Sequence, residues 1–211
     1  ITDSIEDSGV SVRTICADYF MEAPLHSNDN KVVEKSYKVL EKLIDAAKIL
    51  KITDIVIPCV DQSSLKTKEA VSRFVKSIKR IIPTLEKENI NLSLETDLAP
   101  NPFIELLSKL NSNNITVNYD IGNSAALGFN FYEELAAYGD RITDIHIKDR
   151  ILGGGPIELG KGNADFVKFF NELKNFDYKG PFIMQAYRDD EGIEIFKKQL
   201  EWVKPFINSK A

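Results

Sequence analysis

The segment RITDIHIKDR, from Arg141 to Arg150, is the part of the chain from which the fold can first be predicted. If it forms a β-strand, successive side chains point to opposite faces of the sheet. Its apolar face then carries Ile145 and Ile147, and its polar face carries Asp144, His146 and Lys148. Such a strand suits a (β/α) barrel enzyme, because catalytic groups in that fold lie at the C-terminal ends of the strands.

Three further segments have the same alternating pattern and also end in a polar group. They are LSLETD at 92–97, VNYDIGN at 117–123 and FIMQAYR at 182–188. The polar end of each segment carries a candidate metal ligand or its amide analogue, respectively Glu95, Asp120 and Gln185. Together with the strand that holds His146, four predicted strands therefore each present one potential ligand.

The composition is that of an ordinary globular protein with one domain. The 211 residues are 43% hydrophobic and 28% charged, which is enough to bury a large core. The 27 Lys and Arg against 32 Asp and Glu give a net charge of -5, so nucleic acid is not a predicted partner. Because the sequence shows neither a signal peptide nor a membrane-spanning run, we predict a cytoplasmic protein without a membrane partner.

The two cysteines support the same predicted location. Cys16 and Cys59 both lie in apolar, strand-like runs. We expect buried, reduced thiols at both positions, as is usual in cytoplasmic proteins, rather than a disulfide or a catalytic nucleophile.

Hydrophobic periodicity predicts six strands that alternate with helices along the chain. The predicted strands cover residues 10–17, 52–60, 91–96, 115–120, 142–148 and 181–187. The predicted helices cover about 33–47, 71–85, 101–111, 131–139, 164–175 and 192–206, and a further helix ends at Gly9. Because no tandem hairpins are predicted, the sheet should be parallel.

The number of predicted strands determines the predicted fold class, which is α/β. A closed (β/α)8 barrel has eight strands and about 250 residues. We therefore predict a single TIM barrel domain over residues 1–211 that is N-terminally incomplete and lacks the first two β/α units. An open barrel exposes strand edges, so a homo-oligomer is also expected. A doubly wound six-stranded sheet is the alternative, less favoured because the chain has no dinucleotide-binding fingerprint.

Glu95, Asp120 and His146 predict a site for a divalent metal ion. Two oxygen donors and one imidazole suit Mn, Mg, Co or Fe better than a structural zinc. The three residues form no local motif and are separated by about one β/α unit each, so they meet only if the barrel forms. In the alternative interpretation, the two carboxylates cap the following helices or pair with Lys148, and His146 is a hydrogen-bonded strand residue.

Five segments carry a resemblance to a known family. LSLETDL, VNYDIGNSAALG, IHIKDR, IELGKGNADF and GPFIMQAYR, in this order, resemble motifs of the xylose isomerase-like TIM barrel superfamily of sugar and sugar-phosphate isomerases and epimerases. The resemblance covers roughly residues 52–206, and the most similar subgroup is the hexulose-phosphate isomerase and ribulose-phosphate 3-epimerase type. These motifs are specific for the superfamily but say little about the substrate.

The resemblance implies a set of metal ligands and a mechanism. Members bind one divalent ion, here Mn, Mg or Co, through Glu, Asp, His and Glu, and these positions correspond to Glu95, Asp120, His146 and Gln185. In the epimerases, the ion polarises a carbonyl and two glutamates move a proton through an enediolate. Gln185 departs from the pattern, because an amide can be a weak fourth ligand but cannot be a general base.

This departure leaves three options open for the chemistry. Glu95 could move the proton on a single face in a 1,2-isomerisation. Another carboxylate, Glu158 or Asp149, could supply the second acid–base group. The activity could also be lost.

A second departure is Asn123, where many relatives carry a histidine. Because His26 and His146 are the two histidines of the chain, the multi-zinc site of the endonuclease IV relatives cannot form, which excludes DNA repair. His26 is predicted to be a loop residue on the surface rather than a ligand.

The remaining predicted site residues would contact the substrate: Asn123, Lys148 and Arg188. Lys148 would hold a substrate oxyanion as a catalytic aid, or alternatively form a salt bridge. The loop glycines at 153–155, with free backbone amides, Lys161 and Arg188, favour a phosphate group weakly, and a simple tight turn is equally compatible. Asn118 is expected to orient metal ligands.

The predicted function is a metal-dependent isomerase or epimerase whose partner is a small sugar or sugar phosphate. One alternative is a lyase like the inosose dehydratases, because proton abstraction beside a carbonyl is common to both reactions. The other alternative is a carbohydrate-binding barrel with impaired catalysis, which is suggested by Gln185.

Overall fold

The strands and helices alternate along the chain in a computed structural model, which describes residues 2–187 and 192–208. The strands are β1 (Thr14–Cys16), β2 (Asp54–Cys59), β3 (Asn91–Thr96), β4 (Ile115–Asp120), β5 (Ile142–Ile147), β6 (Asp149–Arg150), β7 (Pro156–Ile157) and β8 (Phe182–Met184). The α-helices are α1 (Thr2–Ser8), α2 (Tyr19–Glu22), α3 (Asn30–Leu50), α4 (Lys68–Glu88), α5 (Pro100–Leu110), α6 (Ile121–Leu127), α7 (Phe131–Tyr138), α8 (Phe166–Leu173) and α9 (Ile193–Asn208). Two 3-10 turns cover Asp61–Ser63 and Gly139–Arg141.

The six predicted strands form one sheet in the order β1-β2-β3-β4-β5-β8. The pairs β1/β2, β2/β3, β3/β4 and β5/β8 are parallel, with Glu95 opposite Pro58 and His146 opposite Ile183. Neighbours in the sheet follow one another in sequence, with helices between them. A doubly wound sheet reverses its strand order at a switch point, so this order excludes the doubly wound alternative and agrees with the predicted barrel class.

A short antiparallel hairpin of β6 and β7 follows β5, with Asp149 opposite Ile157. The sequence pattern did not predict this single hairpin, although it correctly predicted that the main sheet is not built from tandem hairpins. Strands of two residues are too short to produce a detectable hydrophobic period, because a period of two needs several alternations. The hairpin does not join the main sheet, so the sheet remains parallel as predicted.

One compact unit contains the described residues up to Leu98 together with Pro102–Val117. All six residues of β2 are buried, which is typical of a parallel strand covered on both faces. The apolar faces of α3 and α4 supply much of the core, including Leu40, Ile44, Phe74 and Ile78. Both helices have side-chain N-caps, from Asp29 and Thr67.

The second compact unit contains Ala99–Asn101 and the described residues from Asn118 onward. Its core is rich in aromatic rings, of which Phe166 packs edge-on against Trp202 and Phe170 stacks on Phe206. Tyr119 stacks on Phe169 with ring centroids 5.2 Å apart. Aromatic contacts therefore join α8 both to α9 and to β4.

The two cysteines have different environments. Cys59 is buried at the end of β2, and burial raises the pKa of its thiol, with further contributions from Asp97 and Glu95. Cys16 is exposed, which corrects the prediction that both thiols are buried. The reason is that β1 has three residues rather than the predicted eight, and its last residue faces outward. Neither cysteine is part of a disulfide.

No helix among residues 2–187 and 192–208 combines the length and the apolar character needed to cross a membrane.

Candidate metal centre

Asp120 occupies the junction between β4 and α6 and has two roles there. Its Oδ1 accepts a hydrogen bond from the backbone N–H of Asn123 at 2.8 Å and so caps α6. Its Oδ2 lies 4.0 Å from Nδ1 of His146 and 3.5 Å from Nζ of Lys148. The helix cap and the Lys148 contact agree with the alternative interpretation of the sequence. Because the cap uses Oδ1, Oδ2 still faces His146 as well as Lys148.

His146 is held in place by Asn118 on the neighbouring strand. The imidazole is 1% exposed, and its Nδ1 lies 3.1 Å from the side-chain nitrogen of Asn118. Which ring nitrogen carries the proton depends on the tautomer. A polar neighbour of this kind fixes the ring orientation of metal-binding histidines, as expected for Asn118 from the sequence.

The Asp120 and His146 side chains have chemistry that suits a divalent ion, and they lie next to each other. Asp120 Oδ2 is 4.0 Å from Nδ1 of His146. Because Nδ1 also lies against the Asn118 amide nitrogen, the ring nitrogen of His146 that suits a metal ligand is Nε2. Both side chains are 1% exposed, and a carboxylate with an imidazole suits Mn, Mg or Co.

Glu95 ends β3 in the first compact unit and is 6% exposed. After burial, the negative charges of Asp97 and Glu95 also raise the pKa of Cys59 on the adjacent strand. Ser64, which follows β2, donates a hydrogen bond of 2.6 Å to Asp97. Glu95, Asp120 and His146 are all buried, and each offers one atom able to bind a metal ion.

Gln185 follows directly after β8 and is half-buried. Its backbone N–H donates to the carbonyl of Ile147 at 3.0 Å, so the β5/β8 pairing continues to this residue. Gln185 therefore lies beside the end of the strand that carries His146. Arg188 lies outside the residues that the structure describes.

Asn123 contacts an arginine that the sequence analysis did not identify. Its side-chain oxygen accepts a hydrogen bond of 2.8 Å from Nη1 of Arg150. Nε and Nη2 of Arg150 both donate to the carbonyl of Gly154, at 3.0 and 2.8 Å. Arg150 ends the IHIKDR motif, but nothing in the sequence links it to Asn123, so only the three-dimensional contact reveals this link.

Neither alternative carboxylate is placed to act as the second acid–base group. Asp149 is fully buried and its two oxygens accept four backbone hydrogen bonds, from Arg150, Gly160, Gly162 and Ala164. Glu158 forms ion pairs with Lys161 at 3.8 Å and Lys198 at 3.1 Å near the surface. Both carboxylates are therefore engaged in stabilising the loop.

The loop glycines also differ from the prediction of free amides for a phosphate group. The amides of Gly160 and Gly162 donate to Asp149, and those of Gly153 and Gly154 donate to backbone carbonyls. Lys161, which was expected to bind the same phosphate, pairs with Glu158. The tight-turn interpretation of this glycine-rich segment is the one that the described contacts support.

His26 is buried, which corrects its assignment to the surface. The side chain is 7% exposed and packs edge-on against Phe74 with centroids 6.0 Å apart. Its loop is held to α4 by Arg73, whose Nε donates to the His26 carbonyl at 2.8 Å. Burial and, second, the positive charge of Arg73 lower the pKa of His26 to about 4.

The lowered pKa of His26 makes the stability of the protein depend on pH. The unfolded chain, with a pKa of 6.5, binds more protons than the folded one between pH 6.5 and about 4. We expect the free energy of unfolding to fall by at most about 3 kcal/mol as the pH decreases through this window. Urea unfolding at both ends of the window, compared between wild type and His26→Gln, isolates this contribution. Equal losses in the two proteins would contradict it.

A model of the xylose isomerase-like TIM barrel family matches residues 1–206. The chain belongs to this family. Membership in the xylose isomerase-like family confirms both the predicted fold class and the resemblance recognised in the five sequence segments.

Two relatives within this family have names that state an activity. SgbU of Haemophilus influenzae is named for an L-ribulose-5-phosphate 3-epimerase activity. It is 30% identical to this chain over 201 residues, which cover 88% of this chain and 70% of the length of SgbU. UlaE of Escherichia coli strain Crooks, an L-ribulose-5-phosphate 3-epimerase, is 26% identical over 216 residues, covering 97% of this chain and 75% of its own.

A solved structure gives the same fold. The crystal structure of a xylose isomerase-like TIM barrel protein from Mycobacterium smegmatis in complex with magnesium matches this chain with a TM-score of 0.75 at 16% identity. The match covers 99% of this chain and 77% of that one.

Proposed function

We propose that this protein is a divalent-metal-dependent isomerase or epimerase of a small sugar phosphate, of the ketopentose phosphate class. The observation that carries the proposal is the buried pair of Asp120 and His146, whose side chains approach to 4.0 Å at the C-terminal ends of β4 and β5. In barrels of this class, catalytic groups occupy that end of the strands. The names of SgbU and UlaE support the choice of substrate class.

The proposed ligands of the ion are Glu95, Asp120 and His146, with Gln185 as a weak fourth ligand. The family relationship and the burial of the first three side chains support this set. Mn, Mg or Co is the proposed cofactor, and the magnesium complex of the Mycobacterium smegmatis relative is consistent with it. When bound, the ion would polarise the substrate carbonyl.

The protein's own groups would then move one proton. Glu95 is the proposed base that takes the proton from the carbon next to the carbonyl, which leaves an enediolate. Lys148, 20% exposed, would hold the oxyanion with its ammonium group. If Glu95 returns the proton to the neighbouring carbon on the same face, the reaction is a 1,2-isomerisation. Epimerisation needs a donor on the opposite face, where Gln185 cannot act as an acid or base.

The substrate-binding residues, the cellular location and the association of the chain with other copies are also proposals. Asn123, Lys148 and Arg188 would contact the substrate. A sugar-phosphate substrate and cysteines outside disulfides suit a cytoplasmic enzyme, and association with other copies of the chain would suit a barrel of this family.

A substrate panel tests the proposal. The protein is incubated with ketoses and ketose phosphates, L-ribulose 5-phosphate among them, in the presence of Mn or Co. NMR and mass spectrometry of the products separate an isomer of unchanged mass from a dehydrated product, which would indicate the lyase alternative. Absence of turnover on the whole panel, with metal bound, would reject the enzyme proposal.

The exchange Gln185→Glu tests the one departure from the family's ligand pattern. A third carboxylate, in the place of the weak amide ligand, should strengthen metal binding by about tenfold or more and supply a group able to donate a proton on the second face. We expect epimerase turnover to rise by about 100-fold, the usual contribution of a general acid or base. Calorimetric titration with Mn and a turnover assay measure the two effects. Sugar binding without turnover in both proteins would favour the carbohydrate-binding alternative.

A further inference from the structure

The loop that follows β5 is folded around a carboxylate of its own. Asp149 is fully buried. Its Oδ1 accepts hydrogen bonds from the backbone N–H groups of Arg150 at 2.9 Å and Ala164 at 3.1 Å. Its Oδ2 accepts from those of Gly160 at 2.9 Å and Gly162 at 2.8 Å. One buried carboxylate thus binds four backbone donors, three of which come from a segment 11 to 15 residues further along the chain.

Two glycines make this arrangement sterically possible. A Cβ added at Gly162 would lie 2.2 Å from Oδ1 of Asp149, which is too close for any side chain. Gly160 adopts a φ of +80°, a conformation that other residues rarely adopt. Closely spaced backbone amides that converge in this way form a concavity that binds anions. In this loop the anion is the protein's own side chain.

The loop is connected on one side to the residues around Gln185. The amide of Leu159 donates to Oε1 of Gln199 at 3.0 Å, and Nε2 of Gln199 donates to the carbonyl of Tyr187 at 2.8 Å. Gln199 lies on α9 and is 2% exposed. The first of these hydrogen bonds is buried and the second is partly buried, so Gln199 links the loop to the segment that follows β8.

The loop is connected on the other side to α6. Arg150 follows Asp149, and its guanidinium donates a hydrogen bond to the Asn123 side chain. The backbone N–H of Asn123 in turn donates to the Asp120 carboxylate, which caps α6. The carbonyl of Arg150 accepts from Asn163 at 2.9 Å, and the Asn163 side chain accepts from Leu152 at 2.8 Å. The Asp149 carboxylate therefore stands at the centre of contacts that reach both Asp120 and Gln185.

We propose that Asp149 is a positioning residue whose carboxylate acts as an internal anion that folds the loop of residues 150–164. The folded loop sets the position of Arg150 against Asn123 and, through the bond of Gln199 to Tyr187, supports the segment after β8 that contains Gln185. The folding of the loop stands on the hydrogen bonds alone. Its consequence for turnover rests on the proposed function.

Removal of the carboxylate should leave an anion site that a small carboxylate can refill. In Asp149→Ala the amides of Gly160, Gly162 and Ala164 lose their acceptor and exchange with solvent. Formate carries the same two oxygens and is small enough to occupy the space of the missing group. Chloride at equal ionic strength has the same charge but no carboxylate oxygens, and it serves as the reference salt.

Hydrogen exchange monitored by mass spectrometry tests the loop directly. In Asp149→Ala, exchange in the peptide covering residues 158–164 should accelerate at least about tenfold, and formate but not chloride should reverse it. Glu158→Ala is the matched control, because it removes a carboxylate of the same loop that pairs only with Lys161 and Lys198. Its exchange near Gly160 should stay unchanged. Unaltered protection in Asp149→Ala, or equal effects of both salts, would overturn the proposal.

A second variant covers the case in which Asp149→Ala fails to fold. Asp149→Asn keeps the shape but turns one acceptor into a donor that faces backbone N–H groups. We expect one pair of amides, either Gly160 with Gly162 or Arg150 with Ala164, to exchange at least about tenfold faster. Normal exchange of both pairs in a folded Asp149→Asn protein would also overturn the proposal.

Turnover measured in the same variants separates this inference from the proposed function. Formate should restore both loop protection and turnover in Asp149→Ala. If formate restores protection while no ketose phosphate is turned over by any form of the protein, the loop inference holds and the proposed reaction fails.

Discussion

Replacement of Glu95 by Gln is expected to lower the turnover of the ketose phosphate by about 100- to 10,000-fold. The amide has nearly the same shape as the carboxylate but cannot take a proton from carbon. It is also a poorer metal ligand, so metal affinity should fall in the same variant. Glu95 is 6% exposed at the end of β3, and a neutral amide there should not cost the fold its stability.

The effect of Glu95→Gln is measured as kcat at saturating Mn, so that weaker metal binding does not by itself reduce the rate. Glu105→Gln on α5 is the control, because the Glu105 side chain is 70% exposed and forms a long ion pair with Lys109, at 4.0 Å. Circular dichroism of both variants should match that of the wild type. Wild-type kcat in Glu95→Gln would remove Glu95 from the mechanism.

The second large effect is expected for Asp120→Asn, which should weaken Mn binding by at least about 100-fold. The change removes the negative charge that faces His146 and Lys148, at 4.0 and 3.5 Å. Asparagine is as good an N-cap as aspartate, so the hydrogen bond from the Asn123 amide and the start of α6 should survive. The loss should therefore concern the metal rather than the fold.

Calorimetric titration of the metal-free protein with Mn measures this affinity, and removal of the ion with a chelator should abolish turnover reversibly. Asp177→Asn, at a side chain that is 86% exposed, is the control and should bind Mn like the wild type. Equal Mn affinity in Asp120→Asn and wild type would show that the ion, if bound, is held elsewhere.

The strands nearest the proposed site are those that the sequence predicts best. Periodicity places β3 at 91–96 and β4 at 115–120, and the structure has the same bounds. Both are largely buried runs, so the apolar pattern and the environment agree along most of their length. At β1 and β8 the predicted strands, 10–17 and 181–187, are longer than the observed Thr14–Cys16 and Phe182–Met184.

The elements that the sequence did not predict are short and depend on contacts. Helix α6 begins immediately after β4 without a loop, and its seven residues are defined by the Asp120 cap and by Gly128 in a left-handed conformation. The β6/β7 hairpin has two residues in each strand. Propensity and periodicity need longer segments than these to give a signal.

The roles of individual polar residues could not be predicted from their positions alone. Asp149 was considered as a proton-transfer group, but its oxygens bind amides that are remote in sequence. His26 was expected at the surface, but Phe74 and the loop before α3 bury it. The sequence alone does not show whether a carboxylate or an imidazole is exposed to solvent, held by hydrogen bonds or buried.

The sequence by itself determined the parallel β/α order and the family, because hydrophobic periodicity and the polar ends of the strands are local properties of the chain. It also identified Asp120 and His146 as partners, since strands of one parallel sheet end at the same edge. Only the tertiary structure decided that Asp149 holds a loop and that Asn123 holds Arg150. These assignments depend on which donors and acceptors fold against each other, and residues far apart in the chain supply them.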